Sequence, residues 1–437
     1  MKKTKISTFY VCDVCGHEHL QWQGKCDSCS EWGTLKRLNH SLKASTTTIG
    51  ASDIDLVSKK LSEITYGSEE KIVTSISELD RVLGGGIVRG SLILIGGEPG
   101  VGKSTLLLQM GFELTSNKKS VLYVSGEESE SQIKSRANRI PHTNDDMVIT
   151  TINEVKSIAS VATKLKPDVL IIDSIQSLVN DDYPSSPGSV VQLRESALVL
   201  QTVAKRNNIA IFLVGHITKQ GTIAGPKVLE HIVDTVLTFD SKSDQAYRLL
   251  RADKNRFGDT SEVGVFAMHA NGFESVSDPS SYFLSERNVA PGSCLTVVLE
   301  GRRPIILEVQ ALANKSVFGY PKRTASGFDP NRLQLMLAII ERHLNIDVSS
   351  VDVYVNIVGG LKVREPSVDL AVCAAVISSI KGQALPDKLC LFGEVGLTGE
   401  VRKVFGFDQR IKAVERLGYQ TVSFSASLSD MLKKVFK

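Results

Sequence analysis

The strongest chemical signal in the sequence is a glycine-rich stretch from Gly97 to Ser104 that spells G-x-x-x-x-G-K-S. It follows an apolar run and precedes Leu106–Met110, which gives it the strand–loop–helix context of a phosphate-binding loop. Its glycines permit close backbone approach, so that successive N–H groups can point at phosphate oxygens. Lys103 then places its ammonium against the β- and γ-phosphates, and Ser104 offers its hydroxyl to Mg²⁺. The predicted nucleotide-binding residues are Gly97, Glu98, Pro99, Gly100, Val101, Gly102, Lys103, Ser104, Thr105 and Asp173.

A second signal is a pair of C-x-x-C motifs near the N-terminus, formed by Cys12, Cys15, Cys26 and Cys29. Four thiolates at this spacing fit tetrahedral Zn²⁺, and a closed four-cysteine shell is structural because no position remains for water. A redox pair is the alternative, but one C-x-x-C motif would suffice for it and neither motif has strand–helix context. The sequence therefore predicts a zinc ribbon.

The segment around these cysteines is too short to bury enough surface to fold alone, so bound metal is expected to supply much of its stability. The neighbouring His17 and His19 are expected to be solvated surface residues rather than competing ligands. The two tryptophans of the chain, Trp22 and Trp32, either pack this small core or leave one ring exposed for contact.

Acidic residues follow two of the predicted strands. Val169–Asp173 is an apolar run that ends on Asp173, which is placed to hold Mg²⁺ through water. Ser120–Ser125 is another such run, and Glu127 just beyond it is placed to orient and deprotonate an attacking water. Glu128 remains the competing candidate for that base.

These side chains require a scaffold in which strands and helices alternate. Leu92–Ile95 and Ala210–Gly215 predict two further buried strands, and Val190–Asn207 predicts a helix. Such alternation indicates an α/β fold with a mostly parallel sheet and a ligand site at the carboxyl ends of its strands. His216 follows the fourth strand, where it either reads the γ-phosphate or is a satisfied surface histidine.

Composition excludes several classes of protein. With 437 residues, 42% hydrophobic and 23% charged, the chain is ordinary globular protein and long enough for two or three domains. Its net charge of +3 carries no argument about partners. Since it has no apolar run of about 18 residues and no secretory signal pattern, no membrane association is expected. Cysteine usage favours metal binding in a reducing cytoplasm over a disulfide framework.

The predicted domains are a zinc ribbon over 1–40, a linker over 41–70, an ATPase domain over 71–276 and a further domain over 280–437. A long loop over 218–227 follows the fourth strand and carries Lys219 and Lys227. Lysines in such a loop suit contact with a nucleic-acid backbone, and a solvated loop is the alternative.

The phosphate loop, Asp173, Glu127 and the order of strands resemble the RecA-type ATPase core. A further motif resembles the signature of bacterial RadA (Sms) recombination proteins and is similar to the Lys-x-Arg element of hexameric replicative helicases. It comprises Lys254, Asn255, Arg256, Phe257 and Gly258. The four-cysteine N-terminus, this core and the C-terminal unit match that family in order over essentially the whole chain.

This resemblance implies a DNA-dependent ATPase of homologous recombination and DNA repair that forms a hexameric ring. It implies helicase-like branch migration on single-stranded and branched DNA together with the RecA recombinase, with ATP, Mg²⁺ and Zn²⁺ as cofactors. Lys254 and Arg256 would then reach the nucleotide of the neighbouring subunit. Residues alone support Mg-ATP hydrolysis with a zinc module attached, and a RecA-core signalling or scaffolding ATPase that never touches DNA is the alternative.

The C-terminal unit resembles the α+β peptidase domain of Lon proteases, which carries a Ser–Lys dyad. Ser367 opens a predicted helix, Ser367–Ile380, and falls at the position of that serine. The lysine position falls on Asp408, and an aspartate cannot act as the amine base that activates a serine. Protease activity is therefore disfavoured, Ser367 is expected to be a helix N-cap, and the domain is expected to be a ring-forming scaffold that can also bind DNA.

Overall fold

The computed structural model describes residues 8–14, 16–39, 71–216, 226–240, 247–316, 320–422 and 424–436. The chain divides into two compact units, Met1–Ser275 and Val276–Lys437. The predicted linker over 41–70 lies outside the described residues, as do Cys15 and Lys219. In the described ranges, no helix combines the length and the apolar character needed to cross a membrane.

The first unit begins with a small antiparallel sheet in the strand order β2–β1–β3. Its strands are β1 (Thr8–Cys12), β2 (Glu18–His19) and β3 (Leu35–Asn39). Among the side chains of this sheet whose burial the structure describes, the buried apolar ones besides cysteines are Val11 and Leu35. That bound metal supplies much of the stability of this ribbon stays a prediction.

The main sheet of the first unit has nine strands in the order β12–β11–β10–β9–β4–β8–β7–β5–β6. They are β4 (Leu92–Gly96), β5 (Val121–Ser125), β6 (Val148–Thr150), β7 (Val169–Asp173), β8 (Ala210–Val214), β9 (Thr235–Asp240), β10 (Tyr247–Asn255), β11 (Val263–His269) and β12 (Gly272–Ser275). Strands β4 to β9 pair in parallel, whereas β10, β11 and β12 pair antiparallel. The predicted α/β fold with a mostly parallel sheet is confirmed.

Helices cover both faces of this sheet. They are α1 (Ser77–Val82), α2 (Lys103–Ser116), α3 (Glu130–Ala137), α4 (Val155–Leu165), α5 (Val190–Asn207) and α6 (Pro226–Leu229). Along β4, Ile93 and Ile95 pack into the core that includes α1 and α2, while Leu92 and Leu94 pack into the core with α4 and α5. Burial on both faces is the reason why the central strands read as continuous apolar runs.

The second unit is α+β. Its larger sheet has the order β13–β14–β16–β15, and β17 pairs with β18. The strands are β13 (Ser293–Glu300), β14 (Arg303–Lys315), β15 (Arg323–Ser326), β16 (Val351–Ile357), β17 (Glu394–Val395) and β18 (Val401–Arg402). The helices are α7 (Pro279–Leu284), α8 (Pro330–Leu344), α9 (Asp369–Lys381), α10 (Phe407–Arg416) and α11 (Leu428–Val435).

The expected N-cap role of Ser367 is wrong. Helix α9 begins at Asp369 with Val368 as its N-cap residue, and Ser367 lies in the preceding 3₁₀ turn. The Ser367 hydroxyl donates instead to Glu365 Oε1 at 2.6 Å. The serine is fully buried, and a buried hydroxyl must find an acceptor, which this carboxylate supplies.

Candidate nucleotide and zinc sites

The phosphate loop connects the end of β4 to the start of α2. Gly100 and Gly102 adopt φ of 80° and 105°, a region that disfavours side chains, and a Cβ on Gly102 would lie 2.5 Å from the ring of Phe273. Gly102 is also the N-cap of α2, and within the described chain no side chain caps this helix. The first N–H groups of α2 are therefore available to a phosphate, in the partial positive field of the helix end.

Lys103 is buried under this loop, with 4% of its surface exposed. Its Nζ donates to the carbonyl oxygens of Gly97 at 2.9 Å and Glu98 at 3.1 Å. Desolvation lowers the pKa of Lys103 to about 8, although nearby Asp173 and Glu127 favour the charged form. A poorly solvated ammonium held by neutral carbonyls gains strongly from contact with a phosphate.

Asp173 ends β7 directly opposite Ser125 of β5, and its carboxylate is buried. The phenol of Tyr123 donates to Asp173 Oδ2 at 2.5 Å. Burial, together with the Asp173 charge, raises the pKa of Tyr123 well above its usual value, so this hydroxyl acts as a donor. Asp173 and the hydroxyl of Ser104 are oxygen ligands of the kind that Mg²⁺ prefers, and this donor set fits the ion.

The two adjacent glutamates after β5 have different partners. Glu127 is half exposed, accepts a hydrogen bond from the Ser174 hydroxyl, and lies 3.7 Å from His216 Nε2. Glu128 forms an ion pair with Arg136 of α3. Because the charge of Glu128 is already compensated, Glu127 is the better candidate for a base, and that assignment stays a prediction.

His216 lies at the end of β8 beside this group. Its Nδ1 is buried and has no hydrogen-bond partner among the described residues. The same holds for Gln176 Oε1. His216 follows β8 and Gln176 follows β7, so two buried polar atoms beyond the carboxyl ends of these strands retain hydrogen-bonding capacity.

Lys254 and Arg256 lie at the opposite edge of the same sheet. Lys254 pairs with Val236 on β9, and the adjacent Thr235 pairs with Ile93 at the start of β4. The phosphate loop follows the other end of β4. Strand β4 has five residues with a rise of about 3.3 Å each, so its two ends lie on the order of 15 Å apart.

The side chains of this motif bind to their own chain. Arg256 Nη1 lies 3.2 Å from Asp234 Oδ1, with 55% of the arginine side chain exposed. Lys254 Nζ donates to the carbonyls of Glu230 at 2.6 Å and Val233 at 2.8 Å. Lys254 therefore holds the segment that follows α6, and Arg256 is the more accessible of the two cations.

The remaining motif residues shape a turn. Asn255 Oδ1 accepts a hydrogen bond from the Phe257 N–H at 2.9 Å, and Gly258 packs so closely that a Cβ would lie 3.2 Å from Gly84 Cα. Of the predicted DNA-contacting lysines, Lys219 lies outside the described residues. Lys227 belongs to α6, but its side chain is likewise outside the description.

In the ribbon, each of the two cysteine motifs begins a tight turn, and the two turns have the same hydrogen bond. Gly16 N–H donates to Cys12 O at 2.8 Å, and Ser30 N–H donates to Cys26 O at 2.9 Å. The Sγ atoms of Cys12, Cys26 and Cys29 lie within 4.8 Å of one another, with Cys12 and Cys29 3.6 Å apart. Thiolates on tetrahedral zinc are about 3.8 Å apart. The donor set fits zinc, and Cys15 is the predicted fourth ligand outside the described residues.

The expectation that His19 is a solvated surface residue is wrong, whereas His17 is exposed. His19 is buried with its Nε2 3.4 Å from Cys26 Sγ, and its Nδ1 accepts from Gln23 Nε2 at 2.8 Å. An acceptor at Nδ1 leaves the proton on Nε2, so the ring donates to the sulfur and stabilises a thiolate. Both tryptophans, Trp22 and Trp32, are largely exposed.

Sequence reasoning missed Tyr123 and Ser174 as members of the nucleotide site. Ser174 directly follows Asp173, so its position was a usable signal. In β5, Tyr123 is the one residue from Val121 to Val124 whose side chain is polar. A buried tyrosine hydroxyl usually needs a hydrogen-bond partner, and the sequence around Tyr123 gives no other indication of one.

Comparison with known proteins agrees with this geometry. A family model described as an AAA domain matches residues 60–222, and one described as a rubredoxin metal binding domain matches residues 10–37. Fold and site together define a P-loop ATPase that carries a zinc ribbon.

Relatives extend the match to nearly the whole chain. A DNA repair protein RadA from Listeria monocytogenes is 43% identical over 97% of this chain and 93% of its own length. Those from Aquifex aeolicus and Haemophilus influenzae are 44% and 45% identical over 97% and 94% of this chain, and 94% and 91% of their own lengths. The chain belongs to the RadA family of DNA repair proteins.

Proposed function

We propose that this chain is a DNA-dependent ATPase that acts in DNA repair as a hexameric ring. It hydrolyses ATP while bound to single-stranded or branched DNA, and it drives branch migration of recombination intermediates together with the RecA recombinase. The main support for the proposal is that the phosphate loop, with Lys103, and the motif that contains Lys254 and Arg256 lie at opposite edges of one sheet. A single chain cannot bring Arg256 to its own phosphate loop, but a ring of subunits can.

Within one site, the residues divide the chemistry. Loop N–H groups and Lys103 bind the phosphates, and Glu127 holds and deprotonates the attacking water. Mg²⁺, when bound beside Asp173 and Ser104, neutralises charge on the phosphate oxygens. An arginine from a neighbouring subunit would stabilise the transition-state charge, an effect worth about 10³–10⁵ in rate in other phosphate-loop enzymes.

ATP hydrolysis with and without single-stranded DNA tests the proposal. We expect the rate to rise on addition of DNA at low salt and the stimulation to weaken as salt increases, because phosphate contacts release counterions. No stimulation at low salt would instead favour a signalling or scaffolding ATPase.

Mixing two variants tests action between subunits. Lys103→Ala and Arg256→Ala chains should each be inactive alone, and mixed rings should recover part of the activity at interfaces where an intact loop meets an intact arginine. Mixed rings that form, as verified by differently tagged subunits, but stay inactive would contradict the role of Arg256. Arg206→Ala, which changes an arginine at the end of α5, is the matched control.

The zinc ribbon is proposed as a structural module. Cys26→Ser with Cys29→Ser should remove the single zinc ion measured by elemental analysis. Retention of full zinc would contradict the ligand assignment.

A further inference from the structure

Tyr123 places a hydroxyl where packing alone would not require one. The residue is fully buried in β5, among Ile171, Phe212 and other apolar side chains of the α2 face. A phenylalanine would fill the same space and would not bring a polar group into the core. Packing therefore accounts for the ring of Tyr123 but not for its hydroxyl.

That hydroxyl has a defined acceptor. Tyr123 lies opposite Ile171 in the parallel register, and Asp173 is two residues further along the same face of the sheet. An aromatic side chain can span such a diagonal pair. Its oxygen donates to Asp173 Oδ2 at 2.5 Å, which fixes the rotation of the carboxylate and occupies one of its two oxygens.

Lys103 is a second group toward which the Asp173 carboxylate can turn. Lys103 is close enough for the two side chains to attract each other electrostatically, and among the described residues its ammonium donates to two carbonyls. Without the phenol, the carboxylate could turn toward Lys103 and form an ion pair within the loop. Such a pair would compete with the phosphates for the lysine and with the metal for the carboxylate.

We propose that Tyr123 is a positioning residue for the divalent metal of ATP hydrolysis, and that its hydroxyl holds Asp173 turned toward the metal and away from Lys103. This inference rests on the P-loop ATPase activity and not on DNA or on ring formation. Partners that orient a metal-binding carboxylate typically contribute about 10–100-fold in metal affinity or activity.

The test uses Tyr123→Phe in the full-length chain, with Tyr183→Phe as the matched control. Tyr183 also donates to a carboxylate, that of Glu195 at 2.9 Å, but it is only partly buried and packs against Val11 and Val191. Mn²⁺ serves as the probe, and its binding to the protein loaded with a non-hydrolysable ATP analogue is followed by electron paramagnetic resonance. The Mg²⁺ concentration that gives half-maximal basal hydrolysis is measured in parallel.

We expect Tyr123→Phe to weaken Mn²⁺ binding and to raise the half-saturating Mg²⁺ concentration by about tenfold. Tyr183→Phe should change neither. Unchanged metal dependence in Tyr123→Phe, with wild-type hydrolysis intact, would overturn the inference. Absence of basal hydrolysis in the wild type would instead overturn the proposed ATPase function.

A double-mutant cycle separates positioning from general destabilisation. If Tyr123 acts through Asp173, then Tyr123→Phe should not weaken Mn²⁺ binding further in an Asp173→Asn background. An additive tenfold loss in that background would contradict positioning through Asp173. Thermal melting of each variant reports whether the fold is retained.

Discussion

Two sites bring a cation close to a carboxylate: the phosphate-loop site and the Ser367 site, which consists of Ser367, Glu365 and Arg410. They differ in how completely the hydrogen-bonding capacity of these groups is used. In the first, the hydrogen bonds of Lys103 within the described ranges go to two loop carbonyls, and Glu127 is half exposed. In the second, Arg410 is fully buried and donates to both oxygens of Glu365 at 2.9 and 2.6 Å, to Val297 O at 2.5 Å and to Phe405 O at 3.1 Å.

This difference separates a reactive site from a structural one. Groups with unused hydrogen-bonding capacity and a lysine with a perturbed pKa can bind a ligand. Groups whose donors and acceptors are all paired form a fixed structural network. Arg410 cannot give up its proton, so it cannot replace the missing lysine of a Ser–Lys dyad. Asp408 is exposed in the first turn of α10 and supplies no base either.

The largest effect is expected from Lys103→Ala, which removes the phosphate-binding cation. ATP hydrolysis should fall by at least about 100-fold, because preorganised charge stabilisation at the phosphates is lost. Phosphate release measures it. Lys156→Ala, which breaks only an exposed ion pair with Asp182, is the control and should keep near-wild-type activity.

The fixed network should respond in stability instead of activity. Arg410→Met leaves the partly exposed Glu365 without its main partner and should lower the free energy of unfolding by up to about 3 kcal/mol. Denaturant unfolding checks this, and the double variant with Glu365→Leu should recover part of the loss. A folded Arg410→Met chain that loses hydrolysis would undermine the contrast between the two sites.

A smaller effect follows from the pKa of Lys103, which burial lowers to about 8. Phosphate binding needs the ammonium form, which is present below pH 8 and is lost as the pH rises above it. ATP affinity should therefore weaken by up to tenfold per pH unit above about pH 8. Titrations from pH 7 to pH 9.5 measure it. The same slope in Lys103→Arg, whose charge persists, would rule out this explanation.

The smallest effect is expected from Ser367→Ala. Hydrolysis of ATP should be unchanged, and the unfolding free energy should fall by only about 1 kcal/mol with the loss of one buried hydrogen bond. Peptide cleavage by the wild type that disappears in this variant would restore the protease interpretation.

The sequence predicted those parts of the site that depend on local spacing. The phosphate loop, Asp173 at a strand end and the cysteine motifs each need only a short segment to be recognised. The contacts Tyr123–Asp173 and Glu365–Arg410 join residues 50 and 45 positions apart, and no local pattern encodes such pairs.

The same reason explains what was missed in the fold. Strand β10 carries three charged residues among its last five, Arg251–Asn255, and so lacks the apolar run that marked the central strands. It nevertheless forms a strand, because pairing with β9 and β11 outweighs its composition. His19 was misplaced because its burial depends on the fold around Cys26 and not on its neighbours in sequence.

The most direct test of the account is phosphate release by Glu127→Gln beside Glu128→Gln, with ATP binding measured in both. We predict that Glu127→Gln binds ATP normally and loses at least about 100-fold in turnover, because the attacking water lacks its base. Glu128→Gln should retain most of its activity, since Glu128 is paired with Arg136. Wild-type turnover in Glu127→Gln would contradict the assignment of the reactive carboxylate.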